Sequence, residues 1–202
     1  MLKLSKVAVT GGLSCGKSSV CRFFKELGAY VIDADEVVHQ LLSSDANLGQ
    51  QVIKLLGSDI VINYQIDRSK IAQKVFNNPK LLKSLENLLH PAVEAEIKKE
   101  YQRVKEQNFA PLFVVEVPLL FEADWDQGFD VCIAVMADRD TCLKRFKESK
   151  KGDKNEYDKR MQRQLSPFEK AQRAHYAIQN NGSLSDLKDE VKRLFNQLVK
   201  QS

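Results

Sequence analysis

The residues with the most chemical potential lie in "GGLSCGKS", Gly11 to Ser18, which fits the pattern G-x-x-x-x-G-K-[ST]. The stretch follows a short apolar run, "KVAV", and precedes a segment of helical character, the context in which this pattern builds a phosphate cradle. Glycines let successive backbone N–H groups turn inward, the helix N-terminus adds its dipole, and Lys17 can reach the outer phosphates of a nucleotide. Gly12, Leu13, Ser14, Cys15, Gly16, Lys17, Ser18 and Ser19 are therefore the expected nucleotide-binding residues, with the Ser18 hydroxyl a ligand for Mg²⁺. A glycine-rich turn carrying a surface lysine is the plain alternative.

Two acids stand where such a loop would need them. "VIDADEVVHQLL" puts Asp33 at the carboxyl end of an apolar run, the rim where open α/β sheets collect ligands. A carboxylate there can accept or orient the proton of an attacking hydroxyl, as in phosphoryl transfer to an alcohol. Asp35 suits a helix N-cap, and His39 follows it by one helical turn, so one cap plus one solvated acid is the bland reading of the pair. Glu116 ends the run "LFVVE" and can support a Mg²⁺ shell, or else pair with a neighbouring helix. The chain has no NKxD and no DxxG, the base-reading and switch elements of a GTPase.

Positioning these residues takes an alternating chain. The runs "KVAVTG", "AYVIDAD", "LFVVEVPLLF", "FDVCIAVMA" and, more weakly, "HYAIQNNG" read as strands. Helical patterns occupy 17–27, 35–43, 69–76, 80–107, 141–147 and 184–199. Short apolar strands separated by helices imply crossovers and a parallel sheet covered on both faces, so the fold class is α/β. Asp67 and Ser69 are N-cap candidates, Pro79 suits an early helical position, and Gly28 and Gly182 mark helix ends. Pro91, inside "LLHPAV", predicts a break near His90 and two helices at an angle. About 75 residues without a convincing strand separate the second run from the third, which predicts a helical subdomain there. The charged stretch "ESKKGDKNEYDKR" reads as an exposed, mobile excursion.

Composition agrees with this reading. A chain of 202 residues suits one compact domain with room for a small insertion. The apolar share of 43% and charged share of 29% are ordinary for a globular protein and exclude a disordered or collagen-like chain. A net charge of +4 favours anionic ligands but falls short of a nucleic-acid-binding footprint. No apolar stretch approaches the roughly 20 residues that span a bilayer, and "MLKLSKVAV" lacks the features of a signal peptide. A cytoplasmic protein with neither nucleic acid nor membrane as partner is expected. Cys15, Cys21, Cys132 and Cys142 form no CxxC pair and have no histidine at metal-ligand spacing, so reduced thiols are expected. Cys15, inside the glycine loop, is the candidate for oxidation. Nothing in the spacing specifies an oligomeric state.

"VTGGLSCGKS", "VIDADEVVHQLL", "IDRSKIAQKVF", "LLHPAV", "VVEVPLLFE", "RMQRQLSPFEK" and "AIQNNGS" resemble, in order and approximate spacing, the bacterial dephospho-CoA kinase family. The resemblance runs from Lys6 to about Lys200, and the DAD, LHP and PLLFE combination makes it specific. It implies phosphorylation of the ribose 3′-hydroxyl of dephospho-CoA with ATP and Mg²⁺, the last step of coenzyme A synthesis. The implied fold is a P-loop, nucleoside-monophosphate-kinase-like three-layer architecture. Its core would take residues 1–34, 108–138 and 165–202, a CoA-binding helical subdomain 35–107, and a lid 139–164. By the same resemblance Lys17 and Ser18 take the phosphate and Mg²⁺ roles, Glu116 the metal shell, and Asp33 the base. His90 and Pro91 belong to the acceptor-binding region, Arg145, Arg160 and Gln164 to the lid, and Asn180 to a loop near the adenine.

The chain departs from the family pattern at three places. A second lid arginine and an aspartate commonly follow the position of Arg145, whereas here Ser149, Lys150 and Lys151 stand; lysine supplies charge without the bidentate fork. Ala174 and His175 replace a usual Ala-Asp pair, and Glu116 occupies a position often held by aspartate. A kinase for another small alcohol or a nucleoside monophosphate, and a nonenzymatic nucleotide-binding module, are the alternatives at this point.

Overall fold

The computed structural model describes residues 4–76, 78–149 and 152–201; Lys150 and Lys151 lie outside them. In chain order the elements are β1 (Ser5–Gly11), α1 (Lys17–Glu26), β2 (Tyr30–Asp33), α2 (Ala34–Ser44), α3 (Ala46–Leu56), β3 (Val61–Ile62), β4 (Gln65–Ile66), α4 (Arg68–Phe76) and α5 (Pro79–Gln107). Then come β5 (Leu112–Glu116), β6 (Val131–Met136), α6 (Arg139–Glu148), α7 (Lys154–Met161), α8 (Pro167–Arg173), β7 (Tyr176–Gln179) and α9 (Leu184–Gln201). The chain divides into two compact units, 1–33 with 103–202, and 34–102.

In the first unit five strands form a sheet in the order β2-β5-β1-β6-β7, every neighbouring pair parallel. Val7, Val9, Leu112 and Val114 share one core cluster with Phe24 of α1 and Val191 of α9. The alternate residues Ala8, Phe113 and Val115 point to the other face and are buried as well. Burial of successive strand residues on both faces is the mark of a parallel sheet with helices on each side. The α/β class read from the sequence is thus the observed one. β1 lies central, with β5 and β2 to one side and β6 and β7 to the other. The loop after Gly11 therefore opens where the strand order reverses, the position at which such sheets form a ligand crevice.

The 34–102 unit packs Leu48, Val52, Ile60, Ile71, Leu85 and Leu89 into its own core. Asp67 caps α4 as expected, its carboxylate accepting the Ser69 and Lys70 N–H groups at 2.7 and 3.2 Å. The helix α3 and the β3–β4 hairpin are not legible in the sequence. Two-residue strands carry no periodicity, and the hairpin turns through Asn63 and Tyr64, both at positive φ (49° and 65°).

Pro91 does not divide the long helical segment: α5 runs 29 residues with Pro91 inside it. Proline removes one i→i−4 hydrogen bond, a cost of about 3 kcal/mol in a helix interior. Against that cost stands a buried i, i+4 row, Leu85, Leu89, Val93 and Ile97, which continues across the proline. The charged excursion also needs correcting. From Asp153 it forms α7, opened by a reciprocal capping box with Glu156 and anchored by Tyr157, which is 2% exposed and meets the Phe146 ring edge-on at 5.5 Å. No helix among the described residues is long and apolar enough to cross a membrane.

Candidate active site

The loop from Gly11 to Ser18 has its shape enforced at two glycines. Gly11 has φ 146°, and a Cβ there would lie 2.1 Å from the Val135 carbonyl oxygen; Gly16 has φ 105°, and its Cβ would lie 2.1 Å from Asn180 Nδ2. Only glycine accepts both the backbone angle and the close approach. The Asn180 side-chain amide donates to the Cys15 carbonyl at 2.8 Å, and Arg145 Nη1, from α6, approaches the same oxygen at 3.5 Å. Lys17, the first residue of α1, turns back so that Nζ donates to the Gly12 carbonyl at 3.0 Å and lies 3.4 Å from that of Gly11. Ser19 and Val20 donate their N–H groups to the Gly16 carbonyl at 3.0 and 3.1 Å, starting the helix.

Both acids predicted from the sequence reach the same edge. Parallel register aligns Val9 of β1, Glu116 of β5 and Asp33 of β2, so the two carboxylates end adjacent strands beside the loop. Asp33 is exposed, whereas Glu116 is 7% exposed. The Ser18 hydroxyl donates to Glu116 Oε1 at 3.0 Å. Burial pushes the Glu116 carboxyl above its ordinary value; the Lys17 ammonium pulls it back and the Asp33 charge pushes it further. Ser18 and the two carboxylates are hard oxygen donors of the kind Mg²⁺ takes. Among the described residues no group of three His, Cys, Asp or Glu side chains forms a cage.

The remaining candidates are distributed differently. Arg160, on α7, stacks its guanidinium over the Phe146 ring at 5.6 Å. His90 and Pro91 lie mid-helix in α5, in the 34–102 unit. His90 is half-buried, and burial together with Lys83 holds its imidazole below the ordinary value against the pull of Glu86. Cys15 is 1% exposed, and burial raises its thiol despite Lys17, so the reactive thiolate is disfavoured. Cys21 is raised well above the usual thiol value, by burial first and then by the Glu116 charge.

Sequence reasoning missed Thr10 and Lys170. Both side chains are fully buried and both donate to the Pro118 carbonyl, at 3.2 and 2.7 Å. The S-x-x-E box of "SPFE" was a readable signal for α8, where Ser166 accepts the Glu169 N–H. Nothing in the sequence marked Lys170 as buried.

A central parallel strand that runs into a phosphate loop, with carboxylates delivered by the two strands on one side of it, makes the molecule a P-loop kinase in architecture. The family model described as CoaE, dephospho-CoA kinase, matches residues 5–186, and the chain belongs to the dephospho-CoA kinase family. A dephospho-CoA kinase of Protochlamydia amoebophila (strain UWE25) is 53% identical over 199 residues, covering 98% of each chain. Among solved structures, TT1252 from Thermus thermophilus superposes with a TM-score of 0.83 at 29% identity, covering 96% of this chain and 98% of that one. A dephospho-CoA kinase from Campylobacter jejuni gives 0.72 at 28% identity, covering 97% and 98%.

Proposed function

We propose that the protein transfers the γ-phosphoryl group of ATP to the ribose 3′-hydroxyl of dephospho-CoA, giving coenzyme A and ADP, in the cytoplasm and with Mg²⁺. The observation that carries this reading is the shared edge: Glu116 bonded to Ser18 of the loop and in register with Asp33. Lys17 exchanges its hold on the Gly12 carbonyl for the outer phosphates, while the loop N–H groups from Gly12 to Ser19 bind the rest of the triphosphate. Ser18 and Glu116 would hold the metal, which when bound would offset negative charge on the triphosphate.

Asp33 takes the proton of the 3′-hydroxyl as its oxygen forms the new P–O bond and the bond to the β-phosphate breaks, releasing ADP. Arg145 and Arg160 bring positive charge to the transferring group. Residues 139–164 serve as the lid that excludes water, and the 34–102 unit, with His90 and Pro91, receives the acceptor. Asn180, besides fixing the loop, borders the adenine.

The test is ADP release from MgATP with dephospho-CoA, run beside AMP, shikimate, pantothenate and no acceptor, with the product mass checked for one added phosphate. Release that depends on dephospho-CoA is expected; acceptor-independent release rejects the proposal in favour of an ATPase.

A further inference from the structure

The buried polar or charged side chains among the described residues are Thr10, Glu116, Lys170 and Asn180, and each adjoins the phosphate loop or the strand ends that frame it. Lys170 has no part in the roles assigned above. Its side chain is 0% exposed, and Nζ donates to the Pro118 carbonyl at 2.7 Å while pairing with Glu122 Oε1 at 2.9 Å. Thr10 Oγ1 donates to the same Pro118 carbonyl at 3.2 Å. Pro118 follows Glu116 by two residues, and the intervening Val117 N–H donates to the Val9 carbonyl at 2.9 Å.

Glu122 Oε1 also accepts the Leu165 N–H at 2.9 Å, just before α8, while its Oε2 is buried without a hydrogen-bond partner. α8 packs against β1 and β6, and Pro167 lies so near the loop that a Cβ on Gly12 would stand 3.3 Å from its Cγ. An ammonium buried with an incompletely satisfied partner is a poor stabiliser, and an apolar residue of similar volume often does as well or better. A charge kept at such a place calls for another role.

We propose that Lys170 is a positioning residue for phosphoryl transfer: with Thr10 it clamps the Pro118 carbonyl, fixing the Glu116 rim against the phosphate loop, and it sets a second positive charge behind that loop. The proposal rests on the kinase reading above. Lys170 lies within reach of the loop's charge: burial lowers its ammonium from the ordinary value, Glu122 restores it in part, and the Lys17 charge lowers it further. In a site of low effective dielectric, a fixed charge acts on the developing phosphoryl charge without reorganising.

The deciding experiment compares the parent chain with Lys170→Met/Glu122→Gln, which leaves neither buried charge unpaired and keeps an acceptor for the Leu165 N–H. Melting close to the parent's is expected, with kcat/KM for ATP lower by about ten- to a hundredfold, the scale of lost outer-shell support. Calorimetric affinity for ATP should weaken too, while KM for dephospho-CoA stays at the parent value. Parental turnover and ATP affinity in the folded double variant would make Lys170 an ordinary structural pair and overturn the proposal. Should the double variant not fold, Thr10→Val decides: it removes the other donor to Pro118 without touching the charge pair, and unchanged turnover there also overturns it. A parent inactive on dephospho-CoA rejects the kinase reading instead, and the ATP affinities still judge Lys170.

Discussion

Two basic regions of the sheet-bearing unit are held in opposite ways. Around the phosphate loop, Asn180, Lys170 and Thr10 are buried and each donates to a backbone carbonyl, at 2.8, 2.7 and 3.2 Å. Among the described residues of 139–161 most charges stand outside, Arg145 being an exception at the Cys15 carbonyl. Arg139 pairs with Asp158 at 2.6 Å with side chains 60% and 34% exposed, and Lys144 lies 4.0 Å from Glu148 with both well exposed. An unmade hydrogen bond is costly in the interior, so the loop geometry is enforced; exposed pairs are screened by salt and contribute little. Positive charge alone therefore does not make a preformed phosphate site. The loop is built in advance, while the described residues of the α6–α7 segment are anchored on one side, by Cys142, Phe146 and Tyr157 in the core and by Arg145 at the Cys15 carbonyl, and leave most of their charges in solvent.

The hardest test of the contrast is Lys17→Ala, expected to lower kcat/KM by roughly a thousandfold, the scale of a lost transition-state charge contact, with melting nearly unchanged. Unaltered steady-state kinetics would remove the loop from the mechanism. Asp33→Asn should reduce kcat by about two or more orders of magnitude while calorimetry shows ATP binding intact. Weakened ATP binding with normal turnover would contradict its role as base. Gly16→Ala forces a Cβ into Asn180 at a positive φ, so about 1–3 kcal/mol of strain should appear as a lower melting temperature and weaker ATP binding. An unchanged melt would mean that the loop is less enforced than its contacts indicate.

Glu116 sharpens the comparison through pH. Its folded-state value is raised, so the folded chain keeps this proton to higher pH than the unfolded chain does. The stability that proton contributes is present at low pH and lost as pH climbs through and just above the ordinary carboxylate range. The melting temperature of the parent should fall relative to Glu116→Gln between about pH 4 and pH 7; a constant difference over that window would refute the burial argument. The smallest effect is expected outside: Asp158→Asn should leave melting unchanged at moderate salt, and a measurable loss would show that the exposed pair is more than surface decoration.

Legibility follows the same division between interior and surface. The loop, Asp33 and Glu116 are readable because packing alone seldom places clustered glycines or an acid at the end of an apolar run. α3 escapes despite the Asp45 cap, which accepts the Asn47 and Leu48 N–H groups, because it carries no motif. α7 resembles a mobile stretch in sequence because its charged residues outnumber the single buried Tyr157 that anchors it. Pro91 misleads in the other direction, since the row from Leu85 to Ile97 that carries α5 past it is a property of packing. His175, a departure from the family pattern, has its Nδ1 accepting the Cys132 N–H at 3.0 Å, with its own backbone N–H returned to the Cys132 carbonyl at 2.9 Å.

The amino-acid sequence by itself determined the α/β class, the phosphate loop and the acids at two strand ends, because periodicity and glycine placement are local properties of a chain. The tertiary structure alone decided which strand ends lie side by side, that Ser18 meets Glu116 across 98 residues, and that Lys170 is interior. Those facts depend on strand order and on what covers each side chain, and both are settled only when distant segments pack together.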